Sequence, residues 1–159
     1  VVQLFESQGV LRKEEVASRV EVELENYIMK RQIEYRVLLN MSRNSILPAA
    51  IRFQNGLLSN VGQINQVLGK EASKYSGAQV ALIKEAGALI QELHAACGEM
   101  EATHDKAESG KSALLTARAY AEKLVPSMEK VAEICANLET VVDDADWPLP
   151  KFSELLFTR

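Results

Sequence analysis

Glycine and proline are scarce in this chain, with eight and four in 159 residues, and the glycines are dispersed. No spaced glycine set is followed by Lys and Ser or Thr, so a phosphate-cradling loop is excluded. Only two cysteines are present, Cys97 and Cys135. A disulfide framework is therefore not expected, and both fall at apolar helical positions, as structural thiols of a reducing cytoplasm do. No apolar run approaches the ~20 residues of a membrane span, and no secretory signal opens the chain. A strong charge of either sign is missing too. The net charge of −4 gives no electrostatic footprint for nucleic acid or an anionic membrane. The chain opens Val1-Val2 without Met, which reads as a piece of something longer.

What is abundant is Ala, Glu, Leu and Lys, residues that lose little rotamer freedom in a helix. Apolar spacing predicts four long helices. The first runs from about residue 13 to about residue 45 and carries two stripes. Val20, Leu24, Tyr27, Tyr35 and Leu38 form one, interrupted by Arg31; Val22, Met29, Ile33, Val37 and Met41 form the other. Two stripes on one helix imply two neighbours. Pro48 predicts a kink or a break, after which Ala50, Phe53, Leu57, Val61, Ile64 and Leu68 resume the spacing until Gly69. Residues 70 to 76 read as a polar connection, with Ser76 and Gln79 spaced as a capping box.

The third helix carries Ile83, Ala86, Ile90, Leu93, Cys97, Met100, His104 and Ala107, and Ser109-Gly110 breaks it. The fourth carries Ala113, Ala117, Tyr120, Leu124, Met128, Val131, Cys135, Leu138 and Val142, with Pro126 predicting a second kink. Steps alternating between three and four residues are the seam of antiparallel helices at a shallow angle. The expected fold is all-α: one elongated antiparallel bundle of about four long helices over residues 1–159. An extended tail, Trp147-Pro148-Leu149-Pro150, follows, held straight by its prolines. Trp147, Leu149, Phe152, Leu155 and Phe157 concentrate apolar surface there, and are the candidate docking residues.

The chemistry-bearing groups are few. Glu101 and His104 match the helical Glu-x-x-His pair of di-metal bundles, but such sites need two pairs and two more Glu. The chain has only two histidines, and His94 lacks a Glu three residues before it. A packed His104 with one hydrogen-bond partner is the better reading. His94 and Cys97 lie three residues apart on one helix, where no third group orients a nucleophile and its base. Asp143 and Asp144 sit in an acidic exit that solvation explains. Lys30, Arg31, Arg36, Arg43 and Arg52 form a basic stretch, read as a solvated face or an intramolecular partner for Glu14, Glu15, Glu21, Glu23 and Glu25. No catalytic, cofactor-binding or metal-ligating residue emerges.

Three blocks carry a family resemblance. They are Leu4-Phe5-Glu6-x-x-Gly9-Val10-Leu11 with Ser18-Arg19 and Glu23-x-Glu25-x-Tyr27; Ile46-Leu47-Pro48-Ala49-Ala50-Ile51; and Trp147-Pro148-Leu149-Pro150 with Glu154-Leu155-Leu156-Phe157. Together they resemble the C-terminal helical region of type III glutamine synthetases, with the stretch from Gly69 to Gly110 matching only as generic helix. Arg12 departs from that pattern, standing where such chains often carry a capping Ser or Thr. The resemblance implies a cytoplasmic parent enzyme, a glutamate–ammonia ligase using ATP and magnesium. It also implies a catalytic domain upstream and a double-ring dodecamer with neighbouring subunits as partners. This segment is then its non-catalytic assembly domain. The other reading that helical spacing allows is a free-standing helical adaptor.

Overall fold

A computed structural model describes residues 2–110 and 112–155. Among them there is no strand. The elements are α1 (Val2–Ser7), α2 (Lys13–Met41), α3 (Leu47–Leu68), α4 (Ala72–Glu108), α5 (Ala113–Ala119), α6 (Val125–Val141) and α7 (Phe152–Leu155). A π turn, Ser42–Ile46, joins α2 to α3, and a second, Tyr120–Leu124, joins α5 to α6. The four long helices expected from spacing are thus three continuous rods, because the first two run together through Pro48; the last rod likewise continues through Pro126. In each case the π turn ends two residues before the proline, and Leu47 and Val125 bond back to the carbonyls of Ser42 and Tyr120. A π turn accommodates one extra residue. The carbonyl that would clash with the pyrrolidine ring is displaced, and the missing donor falls where the helical ladder is already interrupted.

Two hairpins fold the rods into a bundle. Gly69 has φ +53° and ψ −121°, a conformation open to glycine and closed to residues with a Cβ. A single 3₁₀ turn, Gly69–Glu71, then leads directly into α4. The expected polar connection is therefore shorter than it reads, and Ser76 is no cap. It lies buried inside α4, its hydroxyl donating to the Ala72 carbonyl at 3.0 Å. The second hairpin follows Ser109-Gly110, where Ser112 Oγ accepts from the Leu115 N–H at 3.4 Å to start α5. At the head of α2 the cap absent at Arg12 comes from Glu15, whose carboxylate accepts from the Arg12 backbone N–H at 2.7 Å.

These turns lay α3 along α4, α4 along α6, and α2 along α5. The three rods meet at a waist of small and medium side chains. Ser42, Ile46 and Ala50 come from the first rod, Leu93, Ala96, Cys97 and Met100 from α4, and Val131, Ile134, Cys135 and Leu138 from α6, all buried. Burying Leu93 or Leu138 contributes roughly 2–3 kcal/mol each. Away from the waist, Gln54 of α3 reaches across to donate to the Ile83 carbonyl at 3.1 Å. A Cβ at Gly87 would stand 2.8 Å from that amide, so the glycine sets how closely α3 and α4 approach.

Of the two stripes expected on the first helix, one faces the bundle. Tyr35 is buried and Leu24, Tyr27 and Leu38 are half-buried, while Val20 is exposed. Of the second stripe Met41 is half-buried, while Val22, Met29, Ile33 and Val37 are 51%, 57%, 57% and 51% exposed. Beyond α6 the chain turns rather than running straight. Asp143 Oδ1 accepts from Ala145 N at 2.7 Å, and the Asp143 carbonyl accepts from Trp147 N at 3.0 Å. Lys151 pairs with Asp144 and donates to the Val142 carbonyl at 3.2 Å. Both aspartates of the acidic exit thus shape the tail, which corrects their reading as merely solvated groups.

Candidate functional site

The polar groups with chemical potential gather on the seam between α2 and α4. His104 is buried and stacked on Tyr35, ring centroids 4.2 Å apart and planes 9° from parallel. The Tyr120 ring stands 5.9 Å away, tilted by 40°. His104 Nδ1 lies 3.3 Å from Asp105 Oδ1, and its Nε2 is buried without a partner among the described residues. Gln32 spans the seam, donating to Tyr120 Oη and to Glu108, both at 3.3 Å. An open groove of about 530 Å³ runs above this cluster, lined by Tyr35, Arg36, Asn40, Arg43, His104 and Asp105 among others.

Geometry separates the residues that sequence spacing had paired. Glu101 does not join His104 but forms a two-pronged bond with Arg43, at 2.7 and 3.3 Å. That bond pushes the Arg43 guanidinium pKa up. Arg31 pairs with Glu34 at 2.6 Å and lies over the Tyr27 ring. Two members of the basic stretch, Arg43 and Arg31, therefore find partners on α4 and one turn away on α2, while Lys30, Arg36 and Arg52 form no ion pair among the described residues. The acidic run Glu14 to Glu25 makes no ion pair among the described residues. The reason is reach: both runs lie along one straight helix.

His94 is exposed while Cys97 is buried, so the two point to different sides of α4. Both thiols sit at the waist with Ser42, whose hydroxyl is 3.6 Å from Cys135 Sγ. Burial pushes both thiol pKa values up, and for Cys97 the nearby Cys135 adds to it. A raised pKa disfavours the thiolate, which is the nucleophilic and metal-binding form. Burial likewise raises Tyr35, helped by Glu101 and Asp105, and Tyr120, against the opposing bond from Gln32. Among the described residues no three His, Cys, Asp or Glu side chains converge to hold a metal ion. These residues do not fit a magnesium site.

The docking candidates separate into two kinds. Trp147 and Leu149 are half-buried and pack against the bundle's own core. Leu155 is 57% exposed. Phe152 lies on α7, but its side chain, like the whole of Phe157, lies outside the described residues. Spacing had missed Gln32 and Ser42. Both occupy the seam Ile28, Gln32, Tyr35, Leu39, Ser42 and Ile46, whose steps of four and three were available in the sequence but hidden by two polar members.

Comparison with known proteins follows the same outline. Residues 1–65 match the glutamine synthetase C-terminal domain family. A glutamine synthetase of Bacteroides fragilis is 36% identical over 153 residues, covering 96% of this chain and 21% of that protein. A type-3 glutamine synthetase of Dictyostelium discoideum is 26% identical over 159 residues, covering 99% of this chain and 22% of that protein. One from Butyrivibrio fibrisolvens is 24% identical over 157 residues, with 99% and 22% covered. The chain thus spans about a fifth of the length of the curated relatives it matches.

Proposed function

The chain is related along nearly its whole length to the C-terminal part of glutamine synthetases, type 3 among them, and from this we propose that it is the assembly module of such an enzyme. On this reading the parent joins ammonia to glutamate in the cytoplasm, with ATP and magnesium bound outside this chain. The module itself is non-catalytic. It steadies the contact between the catalytic part and neighbouring subunits of a homo-oligomer, a dodecamer by family resemblance.

The observation that carries the reading is the match over 96% of the chain at 36% identity. The side-chain chemistry supports it. Arg43 and Glu101 are engaged with each other, His104 is stacked on Tyr35 with Tyr120 tilted nearby, and both thiols are buried. The docking set is Trp147, Leu149, Phe152, Leu155 and Phe157. Trp147 and Leu149 root the tail on the bundle, and Leu155 leads its exposed side.

The test uses the full-length parent enzyme. Truncation after Val142, and separately Leu155→Asp, reduces the assembled particle seen by light scattering. ATP-dependent glutamine formation falls in proportion to the particles lost. Unchanged assembly after truncation would remove the docking role. A His104→Phe parent that assembles normally yet loses glutamine formation would place chemistry in this module and sink the non-catalytic reading.

A further inference from the structure

α2 carries an apolar face that the described residues do not cover. Val22, Met29, Ile33 and Val37 are each more than half exposed. They share one side of the helix, opposite the side that brings Leu24, Ile28, Tyr35 and Leu39 into the bundle. The stripe is ~22 Å long by helical rise. Contiguous apolar surface of this kind on a soluble domain marks a contact.

The charges along α2 are sorted about the same centre. Its N-terminal half holds Glu14, Glu15, Glu21, Glu23 and Glu25 against Lys13 and Arg19. Its C-terminal half and the π turn hold Lys30, Arg31, Arg36 and Arg43, with Glu34 the lone acid. One straight helix cannot bring its two halves together. The pairs Arg31–Glu34 and Arg43–Glu101 leave the acidic half, Lys30 and Arg36 without ion-pair partners among the described residues.

We propose that the outer face of α2 is a homotypic interface, on which a second copy of this chain packs its own α2 in antiparallel orientation. The two-fold axis passes near Met29 and Lys30. That operation lays the acidic half of each copy against the basic half of the other. It sets Val22 opposite the partner copy's Val37 and Met29 close to its Ile33. Along one border Glu25 faces Arg36 across the axis. A partner of unrelated sequence would give no reason for the acidic and basic halves of one helix to complement each other about the middle of its apolar face. A two-fold contact requires it. The inference rests on the assembly reading above and adds to it the partner and the register.

Sedimentation equilibrium of the 159-residue chain tests it, with a dimer expected. Ile33→Glu, at a site exposed in the single chain, weakens dimerisation by about a hundredfold or more with the circular dichroism spectrum unchanged. Glu25→Arg and Arg36→Glu each weaken it by about three- to tenfold, and the double variant recovers. Met29→Cys forms an intermolecular disulfide under mild oxidation. Val22→Cys alone does not, but Val22→Cys mixed with Val37→Cys does. A wild-type chain that sediments as a monomer overturns the proposal, as does a dimer that survives Ile33→Glu or a Met29→Cys variant that fails to cross-link. None of these outcomes touches the assembly reading, which is decided on the parent particle.

Discussion

Replacing Gly69 and Gly62 by alanine should move stability in opposite directions, although both lie near the end of one helix. Gly69 stands just past α3 with φ +53° and ψ −121°. Alanine there must either adopt a region essentially reserved for glycine, at about 1–3 kcal/mol, or unwind the 3₁₀ turn that starts α4. Gly62 lies inside α3 with nothing within 4 Å of its would-be Cβ. Alanine at that site gains helix propensity and reduces the freedom of the unfolded chain, stabilising by about 0.5–1 kcal/mol. Urea unfolding followed by circular dichroism reads both. Gly69→Ala lowers the midpoint and Gly62→Ala raises it, at unchanged slope. In a chain of this length 1 kcal/mol corresponds to about 2–4 °C in thermal midpoint, so heating gives an independent measure. A Gly69→Ala chain as stable as the parent would refute the reasoning, because the α3–α4 hairpin would then not depend on that backbone conformation.

Leu138→Ala, at a fully buried position of the waist, should cost about 2–5 kcal/mol in the same urea assay. His104→Phe keeps the stack on Tyr35 and removes a buried nitrogen without a partner, so it should be within about 1 kcal/mol of neutral. His104→Ala, which leaves a cavity, should cost about 2 kcal/mol or more. Arg43→Ala breaks a partly exposed pair with Glu101 and should cost no more than about 1 kcal/mol, less at high salt. Stability should fall as pH rises through about 8.5 to 10. Burial raises Cys97, Cys135, Tyr35 and Tyr120 in the folded chain, so the unfolded chain releases these protons first and alkali favours it. Urea midpoints across that range check the sign, and a Cys97→Ala, Cys135→Ala double variant should flatten the lower part of the slope.

The parts legible in the sequence were those governed by a repeating apolar period. Leu93, Cys97, Met100, His104 and Ala107 on α4 and Tyr120, Leu124, Val131, Cys135 and Leu138 on the last rod are all buried. Gly69 was legible because its role is local and belongs to the residue type. The prolines were not, for spacing registers that a helix is disturbed but not how the disturbance is absorbed. Ser42–Ile46 and Tyr120–Leu124 absorb it by adding a residue to one turn, which leaves the apolar sequence on either side helical. Ser76 shows the reverse error, in which a local capping pattern lost to a turn already closed by Gly69.

The second stripe of α2 was read as a face in need of a neighbour, and periodicity left that neighbour unnamed. Periodicity states that a face is to be buried; it does not state by what. For Tyr35 and Leu38 the answer lies within the bundle. For Val22, Met29, Ile33 and Val37, each more than half exposed, the described residues supply none. The charge order along the same helix narrows the choice, because the acidic and basic halves of α2 are each other's complements and no fold of a straight helix can join them. An interface in which one copy answers another satisfies both the apolar face and the unmatched charges with a single contact.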